Sequence, residues 1–229
     1  MNVQAIILAR GGSKGIYKKN IVNFLGKPLL AWTIEQCKQS QKISNIWVSS
    51  DDSQILNVAK KYGANIIKRP PEFSSDISSS EEAWLHAINY LETQNKSSDI
   101  ILTPQVTSPL REKFDFDKAI DKFIDGNYDS LFSATVVNDF FFWKETQDNK
   151  YKSVNYDYRN RKRRQELDNQ IIENGSFYIF NKSQFKKSKN RLINKIGCYE
   201  MDFWKMFEID SEKDLRMCSA LMNEFILRS

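Results

Sequence analysis

The residues best suited to chemistry lie near the start of the chain. Arg10-Gly11-Gly12-Ser13-Lys14-Gly15 is followed closely by Lys18, Lys19 and Asn20. The glycines let main-chain N–H groups approach a ligand. Arg10, Lys14, Lys18 and Lys19 concentrate positive charge, and Ser13 adds a hydroxyl. The preceding run Ala5-Ile6-Ile7-Leu8-Ala9 reads as a strand buried on both faces. A strand that breaks into such a loop is a natural cradle for phosphate. Two commoner cradles are excluded by spacing. Lys14 precedes Gly15, so no Walker loop is present, and Gly11, Gly12 and Gly15 do not make a G-x-G-x-x-G fingerprint. On composition alone, a flexible basic turn fits equally well.

The elements that must position this loop alternate in type. Leu30, Thr33, Ile34 and Cys37 recur at helical spacing, residues 43–50 are strand-like, and Ile55, Leu56 and Ala59 carry a short helix closed near Gly63. A strand over 64–67 leads to Arg69-Pro70-Pro71, which must be extended or turning. The hydroxyl-rich segment 73–80 caps a helix supported by Ala83, Trp84, Ala87, Ile88 and Leu91. A strand over 99–103, a helix over 116–123 and a strand over 130–137 follow. This alternation predicts an α/β fold, a three-layer Rossmann-like arrangement with a mostly parallel sheet and helices on both faces. Ligands bind such sheets beyond the carboxyl ends of the strands. The Gly-rich loop, residues 49–52 and residues 105–111 all follow strands and are expected to converge there.

The pattern changes over residues 138–170. Phe140-Phe141-Phe142-Trp143 and a Tyr-rich stretch read as a hairpin excursion within a single domain spanning 1–229. Its apolar surface makes it the candidate oligomer interface, although a hairpin covering its own core is the competing reading. A strand lies around Phe177-Tyr178-Ile179-Phe180. Residues 207–211 are read as extended in the manner of a strand, which would point Glu208 and Asp210 to one side. Ser211 and Asp214 form a capping-box pattern before a final helix with Leu215, Cys218, Met222 and Phe225 on one face.

The 229 residues carry a net charge of +5, which suits an anionic substrate without indicating nucleic acid. Cys37, Cys198 and Cys218 are widely spaced and lack any C-x-x-C, so they suggest neither zinc nor a disulfide framework. The lone histidine, His86, falls inside a helix, which argues against a His-based metal site or Ser-His-Asp triad. No apolar run approaches the ~18–20 residues of a membrane span, and no export leader is recognisable. A cytoplasmic protein with no membrane partner is expected.

The full string A-R-G-G-S-K-G-(x3)-K-N, followed by Gly26-Lys27-Pro28-Leu29, resembles the signature of sugar nucleotidyltransferases. Within them it is similar to the cytidylyltransferases that make CMP-activated nonulosonic acids, the sialic acid group. Five further segments carry the resemblance in order. Arg69-Pro70-(x5)-Asp76-(x3)-Ser80 resembles R-P-x-x-(x)-x-x-D-x-x-S. Residues 105–111 resemble Q-P-T-S-P-L-R, with Val106 replacing the first proline. Arg163-Arg164-Gln165-Glu166-Leu167 resembles R-R-Q-x-L, and Asn174-Gly175-Ser176-Phe177-Tyr178 resembles N-G-x-x-Y. Glu208-Ile209-Asp210-Ser211 resembles D-I-D-T, with Glu208 where Asp is usual.

The resemblance implies a sugar-nucleotidyltransferase-type fold and transfer of CMP from CTP to the anomeric hydroxyl of a sialic-type acid, with release of pyrophosphate. N-acetylneuraminate, legionaminate, pseudaminate and an eight-carbon ulosonate are all compatible acceptors. It implies catalytic roles for Arg10, Lys19 and Asp210. Ala9, Arg10, Gly11, Gly12, Ser13, Lys14, Asn20, Arg69 and Ser80 would surround the nucleotide. Gln105, Ser108, Arg111 and Tyr178 would face the sugar acid, joined by Arg164 from the neighbouring subunit of a homodimer. Asp210 and Glu208 would hold Mg²⁺ or Mn²⁺. Such transfer depends on positioning and charge neutralisation more than on covalent catalysis, so the lack of a histidine base is no obstacle. Two readings from other classes are a nucleic-acid-binding protein using the basic runs 159–164 and 186–195, and a non-catalytic nucleotide sensor. The first leaves the Gly-rich loop and the paired acids unexplained and is not expected.

Overall fold

The opening apolar run forms β1 (Val3–Leu8), the strand around which the sheet is laid out. The structure is a computed structural model and describes residues 2–13, 15–75, 77–148, 150–166 and 170–228. After β1 come a two-stranded turn of β2 (Asn23–Phe24) and β3 (Lys27–Pro28), α1 (Leu29–Gln39), β4 (Ile43–Ser50), α2 (Ser53–Lys61) and β5 (Asn65–Lys68). Then follow α3 (Ser80–Thr93), β6 (Ile100–Pro104), α4 (Asp115–Asp125) and β7 (Ser130–Val137). The hairpin β8 (Trp143–Glu145) and β9 (Tyr151–Ser153) precedes β10 (Gln170–Asn181), α5 (Lys182–Ser188), β11 (Ile196–Met201) and α6 (Glu212–Met222).

Among the described residues the main sheet has the order β11-β7-β10-β6-β1-β4-β5. β1 pairs in parallel with both β4 and β6, β4 with β5, and β7 with β11. β10 alone runs antiparallel, between β6 and β7. The mostly parallel three-layer expectation therefore holds. The chain leaves β1 toward β4 and β5, then crosses back to β6 on the other side of β1. The carboxyl ends of β1 and β6 thus flank a topological switch point, where a crevice is expected.

Alternation along β1 serves two cores. Val3, Ala5 and Ile7 pack with α1, α2, α4 and α6, whereas Ile6 packs with Trp84, Ala87, Ile88 and Leu91 of α3 and Phe185 of α5. Local chemistry fixes the helix starts. Asp52 accepts from Gln54 N and Ile55 N to cap α2, Ser79 and Glu82 form a capping box on α3, and Ser211 and Asp214 form one on α6.

Several expectations need correction. β11 was not foreseen, because Ile196-Gly197-Cys198-Tyr199-Glu200-Met201 follows a basic, polar stretch and lacks clean alternation. α5, capped by Asn181, was not foreseen, and its last turn overlaps the start of the basic run 186–195. Residues 207–211 are not a sheet strand. One ladder-like bond from Ile209 N to Thr107 O (2.8 Å) holds this segment, with Ile209 fully buried. The excursion makes a short hairpin with its own aromatic cluster. Phe141 packs on Tyr156, Trp143 on Tyr156 and Tyr158, and Phe140 on Phe203. Phe142 and Trp143 are still about half exposed. Among the described residues, no helix is long and apolar enough to cross a membrane.

Candidate active site

β1 passes directly into the Gly-rich loop. Ala9 is buried and its N–H donates to Ser49 O (3.0 Å), extending the parallel ladder to the strand's exit. The Gly11 N–H then donates to Asp51 Oδ1 (3.1 Å), and Ser13 N–H to Gly11 O (3.1 Å). Gly12 is open to solvent on its Cβ side, with no atom near an added side chain. At Gly15, any Cβ would collide with the Asp210 carbonyl, so glycine is required for the two segments to meet. Asn20 is buried and donates from Nδ2 to Arg10 O (2.9 Å), fixing the backbone where the loop begins. Lys14 lies outside the described residues.

At the switch point a cleft of about 620 Å³ opens. Arg10, Ser13, Lys19, Asn20, Arg69, Ser80, Gln105 and Asp210 line it, so side chains from widely separated motifs converge. Ala9, Gly11 and Gly12 contribute the backbone behind this wall rather than its lining. The cleft also takes Phe73, Ser74, Ser75, Ser78 and Ser79, Thr107 and one edge of Trp84. Beyond Ser80, the serines of this segment read in the sequence as a helix cap, although their density of hydroxyls is a usable signal. Trp84 is buried, as a core residue would be, yet it also reaches the cleft wall.

The lining is strongly cationic. Arg10 Nη1 donates to Ser75 O (3.3 Å) across the cleft. Arg69 is 5% exposed, and its Nε and Nη2 have no hydrogen-bond partner among the described residues. The nearest ion pair for Arg69 is Asp51 Oδ1 at 3.9 Å from Nη2. Burial pulls the Arg69 pKa below its ordinary value, the Asp51 charge opposes this, and Arg10 adds to it. Unpaired donors on a buried cation at a cleft wall suit an anionic or acceptor-rich ligand. Lys19 Nζ meets Asp210 Oδ1 at 2.7 Å, with the Asp210 side chain largely exposed. Glu208 sits behind, partly buried, its carboxylate against Gly175, where φ is +63° and an added side chain would be strained and would displace that carboxylate. Burial pushes the Glu208 carboxyl up, and the neighbouring Asp210 charge pushes it further. Lys19, Arg111 and a Thr107 hydrogen bond work the other way.

Three of the expected sugar-facing residues, Arg111, Ser108 and Tyr178, are used differently or lie outside the cleft wall. Arg111 is 1% exposed. It donates to Ser176 Oγ (2.8 Å), Ser176 O (2.8 Å), Gln36 Oε1 (2.9 Å) and Gln105 O. Its guanidinium ties β10 to α1 and to the segment after β6, leaving no face for a ligand. Ser108 is buried, away from the cleft lining, with its hydroxyl unpartnered. Tyr178 is buried, donates its hydroxyl to Glu173, and carries the Arg191 guanidinium 4.8 Å from its ring centroid. Burial and Glu173 raise its pKa. Arg164 begins a short 3-10 turn, Arg164–Glu166, and its side chain lies outside what the structure describes. Among the described residues, no group of three or more His, Cys, Asp or Glu side chains is placed to hold a metal ion.

Residues 4–226 match the cytidylyltransferase family. The chain belongs to this family. An N-acylneuraminate cytidylyltransferase from Oncorhynchus mykiss is 37% identical over 203 residues, which is 87% of this chain and 45% of that protein. The chain thus spans about half the length of the N-acylneuraminate cytidylyltransferases it matches from Oncorhynchus mykiss and Danio rerio. A pseudaminic acid cytidylyltransferase from Campylobacter jejuni is 37% identical over 180 residues, 76% of each chain. Among solved structures, a CMP:2-keto-3-deoxy-manno-octonic acid synthetase complexed with CTP superposes with a TM-score of 0.74 at 16% identity, covering 98% of this chain and 99% of that one. At that identity the likeness speaks for a shared cytidylyltransferase-type fold.

Proposed function

We propose that this cytidylyltransferase-family chain transfers CMP from CTP to the anomeric hydroxyl of a sialic-type nonulosonic acid, releasing pyrophosphate. The observation that carries the reading is the convergence of Arg10, Lys19, Asn20, Arg69, Gln105 and Asp210 on one cleft at the switch point. Loop amides with Arg10 and Lys19 would hold the triphosphate, and the unpaired Arg69 donors would face the nucleoside. The anomeric oxygen would lose its proton to solvent and bond to the α-phosphorus as the bridge to the β-phosphate breaks and pyrophosphate leaves. Arg10 and Lys19 would meet the charge that grows on the departing oxygens. Gln105, whose backbone is fixed by Ser176 O (2.9 Å), would orient the sugar acid.

The donor set suits Mg²⁺ or Mn²⁺, which take oxygen ligands and need only one or two protein carboxylates. Asp210 reaches the cleft, and Glu208, its pKa raised first by burial and then by its neighbour's charge, would be the second ligand. The metal, when bound, supplies neutralisation of the phosphate oxygens. The excursion over 138–170, with exposed Phe142, Trp143 and Tyr158, would dock on a second copy and carry Arg164 to that copy's cleft. A cytoplasmic location accords with use of CTP.

The deciding experiment is pyrophosphate release with CTP, Mg²⁺ and a panel of N-acetylneuraminate, legionaminate, pseudaminate and an eight-carbon ulosonate, compared by kcat/KM. N-acetylneuraminate is the expected acceptor. The Campylobacter relative, matched over three quarters of both chains, makes pseudaminate the second reading. CTP binding no tighter than ATP, GTP or UTP would refute the nucleotide assignment.

A further inference from the structure

Of the three segments that lead from strands toward the cleft, the one at the end of β4, where Ser49-Ser50 pass into Asp51-Asp52, has so far been given no part in the chemistry. Its geometry is specific. Asp51 Oδ1 accepts the Gly11 N–H at 3.1 Å and lies 3.9 Å from Arg69 Nη2. The Arg69 backbone N–H in turn donates to Ser50 O at 2.8 Å. Asp51 is therefore the acidic node between the loop after β1 and the arginine after β5. Asp51 and Gly11 are not among the cleft-lining residues, whereas Arg10, Ser13 and Arg69 are. A carboxylate would repel a phosphate as a direct contact, but as a brace behind the wall it is well placed. Asp52 cannot substitute for it. That carboxylate is occupied in capping α2 and packs against the Gly11 α-carbon, where an added Cβ would lie 3.0 Å away.

We propose that Asp51 is a positioning residue of the nucleotide site. It braces the Gly-rich loop through the Gly11 amide and holds the Arg69 guanidinium at the cleft wall by facing its charge. The two contacts act together. The amide bond fixes the register of the loop, and the carboxylate's charge offsets the mutual repulsion of Arg10 and Arg69 across the site. An asparagine at this position keeps an acceptor for Gly11 and loses only the charge. An alanine loses both.

The inference rests on the nucleotide reading above for its consequence, but the brace itself is readable without a ligand. In the full chain, hydrogen exchange of the amides over residues 10–13 is measured for wild type, Asp51→Ala and Asp51→Asn. CTP affinity, KM, kcat and melting temperature are measured for the same three proteins. Asp51→Ala is expected to speed loop exchange and to weaken CTP binding by about tenfold or more, the scale of one hydrogen bond to a charged group. KM for CTP should rise more than kcat falls. Asp51→Asn is expected to recover most of the exchange protection and part of the affinity. Unchanged exchange in Asp51→Ala overturns the brace, as does an Asp51→Asn protein no better than Asp51→Ala. A lower melting temperature with unaltered CTP affinity per folded molecule reduces Asp51 to a structural residue and overturns it equally. If wild type binds no CTP, the nucleotide assignment has failed, and the exchange comparison still decides whether Asp51 holds the loop.

Discussion

Lys19 Nζ and Asp210 Oδ1 lie 2.7 Å apart, joining the first loop to the last segment before α6. The Asp210 side chain is 71% exposed, so the pair adds at most about 1 kcal/mol to folding. Lys19→Ala should therefore leave the melting temperature within about 4 °C of wild type. Turnover should fall on the order of 10²–10³-fold, as for other lost donors to developing charge. Steady-state kinetics and thermal melts on the same preparation decide it. A large drop in melting temperature with near-normal turnover would contradict the role.

Arg111 should behave in the opposite way. Its four hydrogen bonds are spent on Ser176, Gln36 and Gln105, and burial lowers its pKa to about 10. Arg111→Ala opens a cavity and leaves buried acceptors unpaired, a loss on the order of 3–5 kcal/mol. Arg111→Lys should not rescue it, because an ammonium cannot reproduce the planar fork. Urea denaturation reads this directly. Unchanged stability with a raised KM for the sugar acid would return Arg111 to the substrate.

Glu208 gives a pH test with a defined sign. Its folded-state pKa is raised, first by burial and then by Asp210. The folded protein thus holds a proton that the unfolded chain has already released. Stability from this group is full below the ordinary carboxylate range and declines as pH rises through the raised value. In chelator-treated protein, Glu208→Gln should flatten that decline and be at least as stable as wild type at neutral pH. If Glu208 also binds the metal, the same variant should need more Mg²⁺ for half-maximal activity. A Glu208→Gln protein less stable at neutral pH than wild type would show that the carboxylate is stabilising as a charge.

Much of this was legible in the sequence because local rules and the sheet's topology agree. The apolar run before Arg10, the helical spacing of Leu30 to Cys37 and the Ser211–Asp214 cap each specified an element, and the order of elements placed three loops at one end. What the sequence hid is tertiary. Arg111 follows Leu110 in a motif that reads as substrate-facing, and only the path of β10 shows that Ser176 turns its guanidinium inward. Glu208 and Asp210 read as equivalent by alternation, yet one backs onto Gly175 and the other reaches the cleft. β11 carries a mixed pattern because it is an edge strand, so burial does not impose strict alternation.

The last prediction concerns assembly. Residues 140–143 are consecutive aromatics, and their hairpin buries only part of that surface within one copy, leaving Phe142 and Trp143 about half exposed. Arg164 lies beyond the hairpin, in the same excursion. If the excursion docks on a second copy, an isologous interface makes the exchange reciprocal and gives two composite sites. Arg164→Ala and Asp210→Ala should each be nearly inactive alone. In a mixed dimer, one site joins the intact Asp210 of the first subunit to the intact Arg164 of the second, while the other site loses both. Co-refolding equal amounts should restore about a quarter of wild-type activity, since random pairing makes half the dimers mixed and each has one working site. Native mass spectrometry verifies that mixed dimers formed. Mixed dimers without recovered activity would place Arg164 in its own subunit's site or outside the chemistry, and a monomer at working concentration would remove the shared site altogether.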